Sequence, residues 1–108
     1  TADEIAQSLL DRILDDMPLN NGDEVSVMVN GLGGTPLEEL LIVYRKVHMM
    51  LDEKGISVYM PHIGEFATSM EMAGLSLTIL KLDDELKELL TSPANTPFYT
   101  NANKVPLK

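Results

Sequence analysis

Apolar residues at Ile5, Leu9, Leu10, Ile13, Leu14 and Met17 recur at the spacing of one helical face, while Asp3, Glu4, Asp11 and Asp15 fall on the other. The pattern predicts an amphipathic helix over residues 2–17. Thr1 followed by Glu4 has the form of a capping box, and Pro18 ends the run. After the turn signal Asn20-Asn21-Gly22-Asp23, the nearly continuous apolar run Val25-Ser26-Val27-Met28-Val29 predicts a strand that is central in a sheet or covered on both faces. A second helix is expected to about Lys54. Thr35 would be its N-cap, with Pro36 at the first helical position and Glu38 completing a capping box. It would bury Leu37, Leu40, Leu41, Tyr44, Val47 and Leu51, and Gly55 would stop it. Residues 56–60 then form a second strand, so the strand–helix–strand unit is expected to be a right-handed parallel crossover.

The stretch 61–82 is less regular. Residues 66–70 and 75–82 both have strand character, with Glu71-Met72-Ala73-Gly74 between them, and a hairpin turning at Gly74 is the natural reading. Gly64 is the candidate for a bulge bending one long strand between Ile56 and Met70. Asp83 caps a short helix to about Leu90, with Asp84 and Glu85 in its first turn. Residues 91–108 carry Pro93, Pro97 and Pro106 with several Asn and Thr. The organisation expected is an α/β, two-layer domain over residues 1–92, whose mixed sheet combines a β-α-β crossover with an antiparallel hairpin. Residues 93–108 would be an extended tail.

Composition narrows the classes of function. With 108 residues the chain is one small domain, and 44% hydrophobic against 23% charged residues suits a globular fold. A net charge of −9 and only 8 Lys and Arg give no basic surface for nucleic acid. No apolar run reaches the roughly 18–20 residues that span a membrane. The N-terminus lacks the basic and apolar regions of a signal peptide, and the missing initiator Met suggests a fragment. The absence of Cys fits a reducing cytoplasm. Asp11, Asp15 and Asp16 read as a solvated acidic face, with docking of a basic partner as the alternative.

Ligand contact is suggested by one loop, Asn30-Gly31-Leu32-Gly33-Gly34-Thr35-Pro36, which leads from a strand into a helix N-terminus. Pro36 stands where a dinucleotide fingerprint would want its third Gly, and no Gly-Lys-Ser/Thr follows, so neither phosphate motif is present. A tight turn packed on a neighbour is the plain reading. Asn30, Gly31, Gly33, Gly34 and Thr35 are nonetheless the candidate partner- or site-facing residues. His48 reads as a partly buried packing residue on the second helix, and His62 follows Pro61. Neither has a ligand set at metal spacing, so no metal is expected. Ser69 lies outside any nucleophile elbow. Met49, Met50, Met70 and Met72 suit a core or an interface.

Two segments carry a family resemblance. Val29-Asn30-Gly31-Leu32-Gly33-Gly34-Thr35-Pro36-Leu37-Glu38-Glu39-Leu40 resembles the loop-helix of dihydroxyacetone (glycerone) kinase substrate-binding subunits. The segment Gly64-Glu65-Phe66-Ala67-Thr68-Ser69-Met70-Glu71-Met72-Ala73-Gly74-Leu75-Ser76-Leu77-Thr78-Ile79-Leu80-Lys81 resembles a second motif of that family. The match implies the C-terminal part of such a subunit, with a sheet incomplete without the upstream part of the parent.

What the resemblance implies about function follows from that placement. In the family a histidine captures the carbonyl of dihydroxyacetone in a Gly-x-His-Gly-Glu type segment upstream of the matched part. No catalytic residue is therefore expected in this chain, and His48 and His62 do not match that histidine. Implied partners are dihydroxyacetone, bound through the upstream part, a nucleotide-binding subunit or domain carrying ADP or ATP with Mg, and a second copy in a homodimer. The implied role is cytoplasmic dihydroxyacetone phosphorylation in glycerol metabolism, with a phosphotransferase-system donor favoured over ATP. The alternatives are a non-catalytic paralogue acting as coactivator of a transcription factor, and a stand-alone interaction module.

Overall fold

Strand β1 (Glu24–Gly31) is the axis around which everything else is placed. A computed structural model of the chain describes residues 1–68, 72–97 and 99–101. Helix α1 (Ala2–Asp16) precedes β1, and α2 (Leu37–Glu53) follows it. Two short strands, β2 (Ser57–Val58) and β3 (His62–Gly64), both pair parallel to β1, at its beginning and its end respectively. Strand β4 (Leu75–Lys81) runs antiparallel along the other side of β1, over the full register from Val25 opposite Lys81 to Gly31 opposite Leu75. The expected α/β layer with a mixed sheet and a parallel crossover is present.

The strand expected over residues 56–60 is present at Ser57–Val58, and the long strand expected from Ile56 toward Met70 is interrupted at Tyr59-Met60-Pro61 rather than bent at Gly64. Met60 has φ 56°, a region a non-Gly residue rarely adopts, and Pro61 has no N–H to give to a ladder. The Ser26 hydroxyl holds this kink by donating to the Met60 carbonyl at 2.9 Å. The antiparallel partner found for β4 is β1. Residues 66–68 are not strand, and Ser69 and Met70 lie outside the described residues. A separate antiparallel hairpin forms later, from β5 (Ala94–Asn95) and β6 (Thr100–Asn101). The stretch expected as an extended tail thus turns back on itself as far as it is described.

Helices α1 and α2 stand on one face of the sheet. Alternation along β1 turns Val25, Val27 and Val29 toward them, and all three are fully buried with Ala6, Leu10, Leu40, Val47 and Leu51. Burying such a side chain is worth about 1.5–3 kcal/mol, so this cluster is the main favourable term in folding. The buried stripe of α2 is Leu40, Val43, Val47 and Leu51, whereas Leu37 and Leu41, expected inside, are about half exposed. On α1, Ala6 takes the buried place and Ile5 faces outward. The two helices are joined by Arg45 and Asp3, paired at 2.8 Å.

Local signals explain the ends of the elements. Thr1 and Glu4 form the expected capping box on α1. Asp83 caps α3 (Asp84–Leu90) by accepting from the Leu86 N–H at 2.8 Å. At the end of α2, Gly55 has φ +74°, and a Cβ there would lie 2.6 Å from Asn21 Oδ1. The expected Thr35 cap is not made. Pro36 is the N-cap residue of α2 and its ring has no acceptor to offer, while the Thr35 hydroxyl is used elsewhere.

Candidate functional site

The ends of β1 and β3 open onto two connections, residues 32–36 before α2 and the β3–β4 connection, described at 65–68 and 72–74. In α/β sheets ligands gather at the carboxyl ends of parallel strands, and the candidate residues lie on this rim. Asn30, the last side chain of β1 before the glycines, is only 4% exposed. Its Oδ1 accepts from the backbone N–H groups of Phe66 at 2.8 Å and Ala67 at 3.0 Å. Its Nδ2 donates to the Ala67 carbonyl at 2.7 Å. The carboxamide is committed to holding the loop after β3.

Thr35 does the same for the loop before β4. Its hydroxyl donates to the Gly74 carbonyl at 2.8 Å and accepts from the Gly74 N–H at 2.9 Å. The backbone of the glycine loop adds to this contact. The Leu32 N–H donates to Gly74 at 3.1 Å, and the Gly34 N–H donates to Met72 at 2.8 Å. Two amides that might have cradled an anion are therefore already spent on carbonyls.

The glycines make this approach possible. A Cβ on Gly34 would come within 3.0 Å of the Ala73 Cα and 3.1 Å of the Met72 oxygen. One on Gly31 would sit 3.0 Å from a Leu40 methyl. Gly33 has φ 120°, which side-chain-bearing residues avoid. Of the five candidates, Asn30 and Thr35 are clamps, Gly31 and Gly34 permit close packing, and Gly33 forms the exposed tip. Beside them a hollow of about 530 Å³ is lined by Gly33, Gly34, Thr35, Pro36, Ile63 and Glu65 among others.

A second hollow of about 480 Å³ opens on the opposite face of the sheet. His62, Phe66 and Tyr99 meet there with ring centroids 5.6–6.4 Å apart, and His62 Nε2 lies 2.9 Å from the Tyr99 hydroxyl. Sequence reading had set His62 aside, and nothing in the spacing from 62 to 99 signalled this pair. His48 is exposed, not partly buried, with its ring 5.8 Å from that of Tyr44. Burial pushes the Tyr44 phenol above its ordinary pKa. Among the described residues no three His, Cys, Asp or Glu side chains gather as metal ligands. Met70 and Ser69 lie outside the described residues.

Fold and rim together define a two-layer α/β domain whose strand-end loops are interlocked by an Asn and a Thr. It belongs to the Dak1 domain family, whose model matches residues 1–98. The chain is 44% identical, over 98 residues, to the dihydroxyacetone-binding subunit of PTS-dependent dihydroxyacetone kinase 2 from Listeria innocua, covering 91% of the chain and 30% of that relative. It is 43% identical to an L-erythrulose kinase of Pectobacterium atrosepticum, covering 98% of the chain and 19% of the relative. Among solved structures, the dihydroxyacetone kinase operon co-activator DhaQ superposes with a TM-score of 0.78 at 29% identity, covering 95% of this chain and 31% of that one. The chain thus spans less than a third of the length of these relatives.

Proposed function

We propose that the chain is part of the dihydroxyacetone-binding subunit of a dihydroxyacetone kinase, with a phosphotransferase-system donor rather than ATP. The observation that carries this reading is the 44% identity to a PTS-dependent subunit over nearly the whole chain. In this reading the chain is scaffold. The reacting group that captures the ketone belongs to another part of the polypeptide, and ADP or ATP with Mg belongs to a separate nucleotide-binding subunit or domain. The rim around Gly33 faces that site or partner, in a cytoplasmic homodimer active in glycerol metabolism. The spent amides of Leu32 and Gly34 support a positioning role over direct phosphate binding.

The test is phosphorylation of dihydroxyacetone by the full-length polypeptide, supplied either with a phosphoenolpyruvate-driven relay or with ATP. Turnover with the relay alone supports the proposal, and turnover with ATP alone rejects its donor. A second reading, a coactivator without kinase activity, is favoured by the structural likeness to DhaQ. Dihydroxyacetone binding with no turnover from either donor would select it.

A further inference from the structure

The register on the parallel side of β1 shifts between its two partners. Val25 is paired with Val58, but Met28 is paired with His62. Three steps along β1 thus correspond to four along the facing segment, so residues 59–61 hold one extra residue, a bulge. Paired residues of a parallel ladder share a face, and faces alternate along a strand. Without the extra residue His62 would stand opposite Val29 and point into the core beneath the helices. With it, His62 shares the open face with Met28 and Ser26. The bulge carries its own strain, because Met60 has φ 56°, and the Ser26 hydroxyl fixes it by donating to the Met60 carbonyl at 2.9 Å. Strain of this kind persists only where the surroundings impose it, and bulges commonly re-aim one side chain.

The side chain re-aimed here meets the β5–β6 hairpin. His62 Nε2 lies 2.9 Å from the Tyr99 hydroxyl, and Phe66 closes the aromatic cluster. Tyr99 sits near the hairpin's turn, where the Thr96 N–H donates to the Tyr99 carbonyl at 2.9 Å and the Tyr99 N–H to the Thr96 hydroxyl at 2.8 Å. The other end of the hairpin is tied to the end of α3, since Asn101 Nδ2 donates to the Ser92 carbonyl at 3.1 Å and the Leu90 carbonyl at 3.3 Å. Between these two ties lies the hollow of about 480 Å³, with Met28, Thr78 and Leu80 of the sheet on one side and Ala94 and Tyr99 of the hairpin on another. We propose that the β5–β6 hairpin is a strap over the open face of the sheet, latched at its turn by the His62–Tyr99 hydrogen bond, and that the bulge at residues 59–61 serves to aim His62 at that latch. Release of the latch would swing the turn away from β3 about the Asn101 tie and uncover Met28 and Leu80. Tyr99 lies just past the matched residues 1–98, so the latch is a feature of this chain and not of the family model.

The inference does not depend on the proposed kinase role. It is tested by amide hydrogen exchange at single-residue resolution on the full-length polypeptide, with Tyr99→Phe, His62→Phe and the double variant, which keep a ring at each position and remove the hydrogen bond. Each single change should speed exchange of the Thr96 amide about two- to tenfold, the effect of one ordinary hydrogen bond, while amides of the β1–β4 ladder keep their rates. The double variant should be no faster than either single one, because both remove the same bond. Ser26→Ala, which frees the bulge, should speed Thr96 in the same direction. Unchanged Thr96 exchange in the single variants, or factors that multiply in the double, would overturn the latch. Equal acceleration of the ladder amides would overturn the strap, since the hairpin would then open only with the whole fold. Unchanged Thr96 exchange in Ser26→Ala would overturn the role given to the bulge.

Discussion

Replacing Asn30 by Ala tests whether the rim is held by one carboxamide. The substitution deletes three hydrogen bonds and leaves the Phe66 and Ala67 N–H groups and the Ala67 carbonyl without their partner. A typical intramolecular bond contributes about 0.5–1.5 kcal/mol net, and a buried group left unsatisfied costs about 1–3 kcal/mol. Ala67 is exposed and Phe66 only half-buried, so water can reach part of the vacated space. The expected loss is then about 2–3 kcal/mol, a large share of the roughly 5–15 kcal/mol typical of a domain. Urea unfolding followed by circular dichroism is the assay. With a slope of about 1–3 kcal/mol per molar, the midpoint should fall by about 0.7–3 M at unchanged slope. A loss below about 0.5 kcal/mol, the range of an ordinary surface change, would refute the clamp.

Three further outcomes are expected. Thr35→Val removes both bonds to Gly74 at nearly constant shape and should cost about 1–3 kcal/mol in thermal or urea unfolding, while Thr35→Ser should recover most of it; equal losses would refute the role of the hydroxyl. Gly34→Val forces a side chain against the Ala73 backbone and should cost about 1–3 kcal/mol or more, with amide chemical shifts changing at residues 72–74. The Lys87 ammonium, held by Glu24 at 2.9 Å, has its pKa raised chiefly by that hydrogen bond. Its contribution is complete below the unfolded lysine value, near about 10.4, and is lost as pH rises through the higher folded value. Lys87→Met should therefore flatten the alkaline end of the stability profile, and an unchanged profile above about pH 10 would count against the pair.

Elements governed by local rules were legible in the sequence. The period of α1, the capping box at Thr1 and Glu4, the cap at Asp83 and the stop at Gly55 all act within a few residues, and the structure has each of them. Burial was less legible, because periodicity names a stripe but not its centre. Val43 lies on the buried side of α2 and Leu41 on its shoulder, a rotation that depends on where α1 packs. Strand pairing was the least legible. Residues 66–70 and 75–82 looked like adjacent arms of a hairpin, yet β4 pairs with β1, some fifty residues earlier in the chain. An apolar strand carries no label for its partner, and the longer run of β1 offered seven paired positions.

Thr35 shows how a local rule can assign a hydroxyl to the wrong partner. Thr35, besides lying in the glycine loop, reads as an N-cap because Ser and Thr commonly cap helices. The structure gives that hydroxyl to Gly74, thirty-nine positions away in sequence, and leaves α2 to begin at Pro36 without a side-chain cap. Two hydrogen bonds to one residue are a stronger constraint than one local cap, and they join the β1 loop to the approach to β4. Asn30 makes the equivalent link to the loop after β3. The polar and glycine positions that make this stretch look like a ligand loop are the ones needed to lock it to both described ends of the β3–β4 connection at close range. A loop so locked is a poor cradle for an anion, since its amides are taken, and a good rigid edge against which another part of the polypeptide or a partner subunit can be held.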